Sequence, residues 1–373
     1  WNKFLYLTTK LLESLTFYRF NLLPHTNNMS KFEGVLMGMG NPLLDISATV
    51  GQDVLDKYGV KLDSAILADK EHMPVYDDLK NNYDPQFIAG GATQNSIRVA
   101  QWMLKKKGQA AFMGCVSDDV NGKKLEECAT ADGVFVHYMK STSNPTGTCA
   151  CLIKDGERAL IANLAAANDF EPSHLQTEKA KEIIETAKFY YIAGFFLTAS
   201  FESYLEVAEH ANAKGKTLCL NLSAPFLIDF FTDQMTKAMS LANFLFGNES
   251  EAAALGAKLG LGSDLKELAI KVSDMLCKKE GLPEPTVVFT QGSKSTIVAR
   301  GGVVTEYAVE ALGEGELVDT NGAGDAFVGG FLSQLVQGKG IAECVNAGHW
   351  GARFIIKTSG TQLPKTCDCP DTF

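Results

Sequence analysis

Seven residues in the last sixth of the chain, Asp319-Thr320-Asn321-Gly322-Ala323-Gly324-Asp325, combine properties that suit an anion. Gly322, Ala323 and Gly324 are small enough for the backbone to approach a ligand closely. They stand just before an apolar run that predicts a long helix. A helix start leaves N–H groups without intrahelical partners, and the helix dipole favours negative charge there. In phosphoryl transfer the migrating group spreads charge over its equatorial oxygens, so a loop offering several donors lowers the barrier. Asp325 falls in the first turn of the predicted helix. Its carboxylate could accept the proton that a hydroxyl loses on attacking phosphorus; the plain alternative is an aspartate that only complements the dipole. The chain contains no GxxxxGK[ST] loop, and the late position and glycine spacing of this segment match the GxGxxG dinucleotide fingerprint poorly.

A loop of this kind must be held by a scaffold, and the rest of the sequence supplies one. Apolar runs near residues 35–39, 110–114, 134–138, 189–193, 217–222, 242–246 and 286–290 read as buried strands. Helical patterns over 96–107, 122–132, 176–188, 202–214, 249–258, 265–279, 323–337 and 341–357 alternate with them. That alternation predicts an α/β fold with a central, mainly parallel sheet flanked by helices on both faces. Ligands on such a sheet collect at the carboxyl ends of its strands. Segments near 43–50, 60–68 and 148–163 break the alternation. The last reads as a hairpin turning at 154–157, and the three together predict a small β-sheet lid over the ligand edge.

The chain has 373 residues, with 46% hydrophobic and 21% charged residues and a net charge of −10. This is a globular composition with enough chain to enclose a small substrate. The acidic balance argues against a nucleic-acid or anionic-membrane binder, but not against ATP, which backbone donors and one or two cations can hold. Nine cysteines, without the spacing of a zinc site, read as free thiols in a reducing compartment, and the localisation expected is cytoplasmic. The longest apolar run, near 190–199, is too short to span a bilayer. Residues 1–28 carry three basic residues and one acid, and read as a leader outside the folded unit, with Met29 as the natural start. The unit expected is 29–364, followed by a tail over 365–373.

The motif Asp319–Asp325 resembles the DTxGAGD signature of the ribokinase-like carbohydrate and purine kinases. Asn248-Glu249-Ser250-Glu251 resembles their NxxE motif, and Gly90-Gly91-Ala92-Thr93-Gln94-Asn95 their N-terminal glycine pair. Further segments, 40–47, 145–148, 160–168, 193–198 and 221–226, are similar to the adenosine kinase branch. The resemblance covers about 34–364. It implies an ATP-dependent kinase acting on the adenosine 5′-hydroxyl to give AMP, with Mg²⁺ and a ribokinase-like fold. Asp325 would be the general base, and Gly322, Ala323 and Gly324 the anion hole. Arg158 would descend with the lid onto the phosphates, where a planar guanidinium offers several donors; otherwise it is a solvated hairpin arginine.

Asp45 would accept hydrogen bonds from the ribose 2′- and 3′-hydroxyls, joined by Asn41, Gly91, Ala92 and Asn95, the last of which could instead be a helix cap. Leu43, Leu67, Leu160, Phe195 and Phe226 would wall the adenine pocket. Asn248, Thr290, Gln291, Gly292, Asn321 and His349 would lie along the ATP. Glu251 and Asn248 would position Mg²⁺ through waters; the same pair also reads as a helix capping box. Two departures from the branch, Ala92 after the glycine pair and Ala65 two residues before Leu67, each remove a polar side chain that could bond the nucleoside.

Other functions follow less well. A ribokinase- or fructokinase-type sugar kinase shares the fold, but a sugar-only site needs more polar partners than this pocket supplies. A non-catalytic nucleoside-binding regulator would not need Asp325, Arg158 and the loop together. A dehydrogenase would carry its nucleotide loop near the start of the chain. The resemblance also implies a monomer.

Overall fold

The strands, in chain order, are β1 (Leu36–Met39), β2 (Leu43–Thr49), β3 (Ser64–Leu67), β4 (Gln86–Gly90), β5 (Ala110–Ser117), β6 (Phe135–Ser141) and β7 (Thr148–Lys154), then β8 (Glu157–Asn163), β9 (Phe189–Ala193), β10 (Thr217–Asn221), β11 (Phe244–Asn248), β12 (Thr286–Gln291), β13 (Lys294–Arg300) and β14 (Val303–Tyr307). The computed structural model describes residues 32–373 except 63, 156 and 359, and the expected leader over 1–28 lies outside them. The described residues belong to one compact unit, Phe32–Phe373.

Nine strands form one sheet in the order β14-β13-β12-β11-β10-β9-β1-β5-β6. From β12 to β6 every pairing is parallel, and β13 and β14 complete the edge antiparallel. Side chains alternate between its faces, as the pleat requires: Tyr190 and Ile192 enter one apolar layer, while Tyr191 between them enters the other. Both faces are covered, which is why the strands are apolar throughout rather than alternating with polar residues.

Five strands form the second sheet in the order β3-β8-β7-β2-β4. It contains the three segments expected for the lid, and β7–β8 is the expected antiparallel hairpin. Strand β4 is an addition. It pairs antiparallel with β2 through Leu43–Gly90 and Asp45–Ile88, and it ends at Gly90, the first of the glycine pair, with Gly91 capping the next helix. Two short helices also unanticipated, Gln52–Lys57 and Val75–Asn82, cover the outer face of this sheet with Val54, Leu55, Val75 and Leu79.

The helix that carries Asp325, Ala323–Leu335, is clamped between the helices Ala92–Met103 and Ile341–Ile355. The clamping depends on small residues. A Cβ built at Gly329 would stand 2.6 Å from the Ser96 carbonyl, and one at Gly330 would stand 2.7 Å from the carbonyl carbon of Ala347. Phe327 and Phe331 lie in the same layer, the latter edge-on to Phe246 at 5.1 Å. Full burial of one such ring contributes about 1.5–3 kcal/mol. The axis of the helix, and with it the position of Asp325, is thereby fixed against the sheet.

Several boundaries differ from expectation; the helix expected over 96–107 runs four residues earlier, Ala92–Met103. The helix expected to run to 279 ends at Ser273, short of Gly281 and Pro283. The segment 365–373, expected as a tail, packs onto the unit instead: Cys369 is buried, and Cys367 and Phe373 join it against Trp102 and Trp350.

Candidate active site

The anion loop is braced on three sides before its helix begins. The Val318 and Asp319 N–H groups donate to the Ile356 carbonyl at 2.9 and 3.1 Å. The buried Asp319 carboxylate accepts from the Asn321 N–H at 3.0 Å and the Gly360 N–H at 2.9 Å, and pairs with Arg158 Nη2 at 2.7 Å. Gly322 occupies the N-cap with φ +77°, where a side chain would be strained, and a Cβ there would stand 2.6 Å from Thr361 Oγ1. No side chain caps this helix; the Ala323 N–H turns back to the Thr320 carbonyl at 3.2 Å, and a ligand at the loop would compete for it. A Cβ at Gly324 would meet nothing within 4 Å; space beside the loop is open where a phosphoryl group needs it.

Asn95 Nδ2 donates to Asp325 Oδ2 at 3.1 Å. The Asp325 carboxyl is raised to about 7, chiefly by burial; the Asn95 bond lowers it and the charges of Asp45 and Glu251 add to the rise. Burial likewise lifts Asp45 to about 7, against the lowering influence of Arg158 and Arg98. A carboxyl near 7 is poised to exchange a proton at neutral pH. Asn95 sits in the first turn of the helix Ala92–Met103 rather than capping it; the N-cap is Gly91, with φ +94°. Ala92 is the first helical residue.

Asn41 is 7% exposed, and neither its Oδ1 nor its Nδ2 has a partner. A buried, unpartnered amide beside the glycine pair is an observation that points to a polar ligand. On the small sheet, Leu43 and Leu160 share an apolar cluster with Cys149, Cys151 and Ala167. Phe195 and Phe226 stand 6.2 Å apart between ring centres on the large-sheet side. Leu67 and Phe226 are 55% and 36% exposed, an arrangement that suits a wall awaiting a flat apolar group better than a closed core.

At the other end, Asn248 and Glu251 form a complete capping box. Asn248 Oδ1 accepts from the Glu251 N–H at 2.9 Å, and Glu251 Oε2 accepts from the Asn248 N–H at 3.0 Å. Asn248 Nδ2 adds a bond to Glu251 Oε1 at 3.0 Å. Burial raises Glu251 to about 7, opposed by the Asn248 and Ser223 N–H groups. Three donors occupy part of the acceptor capacity of the Glu251 carboxylate, and the lone pair that remains is a hard oxygen donor that fits a hydrated Mg²⁺. Thr290 lies beside Asn248 in register at the carboxyl ends of β12 and β11. Gln291 Nε2 donates to the Ser295 carbonyl at 2.6 Å across the turn at Gly292. His349 is already engaged: Nε2 lies 2.8 Å from Thr296 Oγ1, and the ring is 5.6 Å from that of Phe327.

The hairpin residue Arg158 is 6% exposed, which overturns the solvated alternative. Three residues at the site escaped the sequence reading: Asp319 as the partner of Arg158, Arg98 beside Asn95, and Thr361 beneath Gly322. Arg98 had a signal, a charge in the midst of a helix whose other residues are uncharged.

A family model for the pfkB family carbohydrate kinases matches residues 53–367. Adenosine kinase 1 of Arabidopsis thaliana is 50% identical over 340 residues, covering 91% of this chain and 98% of its own length. Adenosine kinase of Dictyostelium discoideum is 43% identical over 325 residues, 87% of this chain and 95% of its own. The crystal structure of Anopheles gambiae adenosine kinase in complex with a di(adenosine-5) tetraphosphate matches with a TM-score of 0.83 at 45% identity, over 88% of this chain and 97% of that one. The fold, the braced anion loop and these likenesses agree, and the chain belongs to the pfkB family of carbohydrate kinases, within its adenosine kinase branch.

Proposed function

We infer that this protein transfers the γ-phosphoryl group of ATP to the 5′-hydroxyl of adenosine, giving AMP and ADP. The observation that carries the reading is the convergence of Asp325, held by Asn95, with Asp45 at the open end of the Gly322–Gly324 loop. Asp45, Asn41 and the Gly91 backbone hold the ribose, and Leu43, Leu67, Leu160, Phe195 and Phe226 enclose the base. Ala92 and Ala65 contribute no polar side chain, so the base is recognised more by its faces than its edges. Asp325 takes the 5′-hydroxyl proton as the oxygen attacks phosphorus in line.

The N–H groups of Gly322, Ala323 and Gly324 receive the charge that develops on the migrating group, and Arg158, carried by the small sheet, lies where it can add its own. Asn248, Thr290, Gln291, Gly292, Asn321 and His349 flank the nucleotide. Glu251 and Asn248 would hold Mg²⁺ through its waters, and the ion would supply charge neutralisation at the phosphates. Closure of the small sheet excludes water and suppresses ATP hydrolysis. No described helix is long and apolar enough to cross a membrane. From the free cysteines, which suit a reducing compartment, we place the enzyme in the cytoplasm, as a monomer.

The test is a coupled assay with MgATP on adenosine, inosine, guanosine, ribose and fructose. Adenosine is expected to be the preferred acceptor by kcat/KM. Preference for a free sugar would leave the family intact and discard the pocket reading.

A further inference from the structure

Arg98 is 4% exposed, in the middle of the helix Ala92–Met103. A buried guanidinium is costly unless its donors are met, and here all three nitrogens are used. Nε donates to Asp132 Oδ2 at 2.6 Å, Nη2 to the Thr361 carbonyl at 3.2 Å, and Nη1 to both the Ala89 carbonyl at 2.7 Å and Asn95 Oδ1 at 3.3 Å. These partners come from the end of the helix Val120–Ala131, the segment under the anion loop, strand β4 of the small sheet, and the preceding turn of its own helix.

Of the four, Asn95 alone also touches the reacting carboxylate. Its amide is nearly symmetric in shape but not in chemistry. With Oδ1 toward Arg98, Nδ2 points at Asp325. In the reverse orientation an oxygen would face a carboxylate, and an NH₂ would face a group that has donors and no acceptor. The guanidinium therefore admits one orientation.

We propose that Arg98 is a positioning residue for phosphoryl transfer, locking the Asn95 amide so that its N–H faces Asp325 and tying that contact to strand β4 and to the Thr361 brace beneath Gly322. The inference rests on Asp325 being the general base. The other ionisable groups that face Asp325 are Asp45 from β2, Glu251 from the helix Glu249–Leu259, and Tyr191 from β9; the charge of Arg98 also reaches Asp45.

The experiment compares Arg98→Met, Arg98→Lys, Asp132→Asn and Asp325→Asn in the full chain, recording kcat, KM, the pH profile of kcat/KM and the urea unfolding midpoint. R98M is expected to lower kcat about 10- to 100-fold, the scale of a misplaced reacting group, with a smaller change in KM for adenosine. Its acidic limb should move to higher pH by about half a unit or more, because a freed amide and a lost cation both favour the protonated carboxyl. R98K keeps the charge without the fork, and should move the limb the same way by less. D132N breaks the ion pair while leaving the Asn95 contact, and should lose stability with the limb in place. If R98M fails to fold, R98K decides. An unmoved limb in the folded Arg98 variants, or an equal movement in D132N, overturns the proposal. Retention of activity by D325N would instead remove the base reading on which it rests.

Discussion

Asp325, Asn95 and Arg158 reach the site as side chains held by other side chains, and Asp45 lies within the field of Arg158 and Arg98, whereas on the apolar wall Leu67 is 55% and Phe226 36% exposed. The polar end is organised in advance. Its donors and charges are in place before substrate arrives, which is the condition under which they act on a transition state without a reorganisation cost. The apolar wall gains its partner only when a base covers it, so its contribution is the area removed from water. Changes at the polar end should fall on kcat or on stability, and changes at the wall on KM.

The largest expected effect is that of Asp325→Asn, which should lower kcat by about 10²- to 10⁴-fold, the usual worth of a positioned base, in an enzyme at least as resistant to urea as its parent at neutral pH, because the buried carboxyl no longer ionises. Next is Arg158→Ala. It leaves the buried Asp319 carboxylate without its cation, a change that costs about 3–5 kcal/mol of stability. Adding Asp319→Asn should restore part of the unfolding midpoint and none of kcat. Recovery of kcat in the double variant would show that Arg158 serves the loop and not the phosphates, and would break the comparison at its polar end.

A smaller effect is the dependence on pH. With Asp325 at about 7 in the free protein, kcat/KM should rise with pH through that region as the base form fills. Stability should run the other way. Asp45, Asp325 and Glu251 all have carboxyls raised by burial, so their share of stability is complete below the ordinary carboxylate range. It is lost as pH rises from about 4 through about 7. The ligand-free melting temperature should fall across that interval, and Asp45→Asn should flatten the fall. Last is Leu67→Ala, with an expected rise of about three- to tenfold in KM for adenosine, the scale of one partly buried aliphatic contact, and little change in kcat. A kcat effect of that size would place Leu67 in lid closure rather than in the wall.

The polar end was also the more legible in sequence. The anion loop announces itself through Gly322, Ala323 and Gly324 before an apolar helix, because the required chemistry and the local backbone are encoded in adjacent residues. The capping box of Asn248 and Glu251 was readable for the same reason, and both of its bonds are present. The lid hairpin followed from the turn residues at 154–157 between two strand-like runs. Pairings between distant segments were not legible. Nothing near Arg158 in sequence indicates Asp319, and Arg98 draws its partners from residues 89, 95, 132 and 361. Strand β4 is short and runs into the glycine pair at Gly90, so local pattern gives it no strand signal; it is a strand because β2 offers it an edge. The C-terminal segment looks polar by composition, and its burial depends on Cys367, Cys369 and Phe373 finding Trp102 and Trp350.

Strand β1 lies in the interior of the large sheet, hydrogen-bonded to β5 on one side and β9 on the other, and only Gly40, Asn41 and Pro42 separate it from β2, itself flanked by β7 and β4. During synthesis Leu36–Met39 leaves the ribosome long before either neighbour exists. Leu36 waits for Ala110 on one side and for Phe189 on the other. At about 5–20 residues per second, the second wait lasts on the order of 10 s. Through that time an apolar strand with both edges open is a template for wrong pairing. Non-local closure of this kind also makes for slow folding. A nascent chain stalled short of β9 should therefore be the species most dependent on chaperones, and most prone to aggregate when they are withheld.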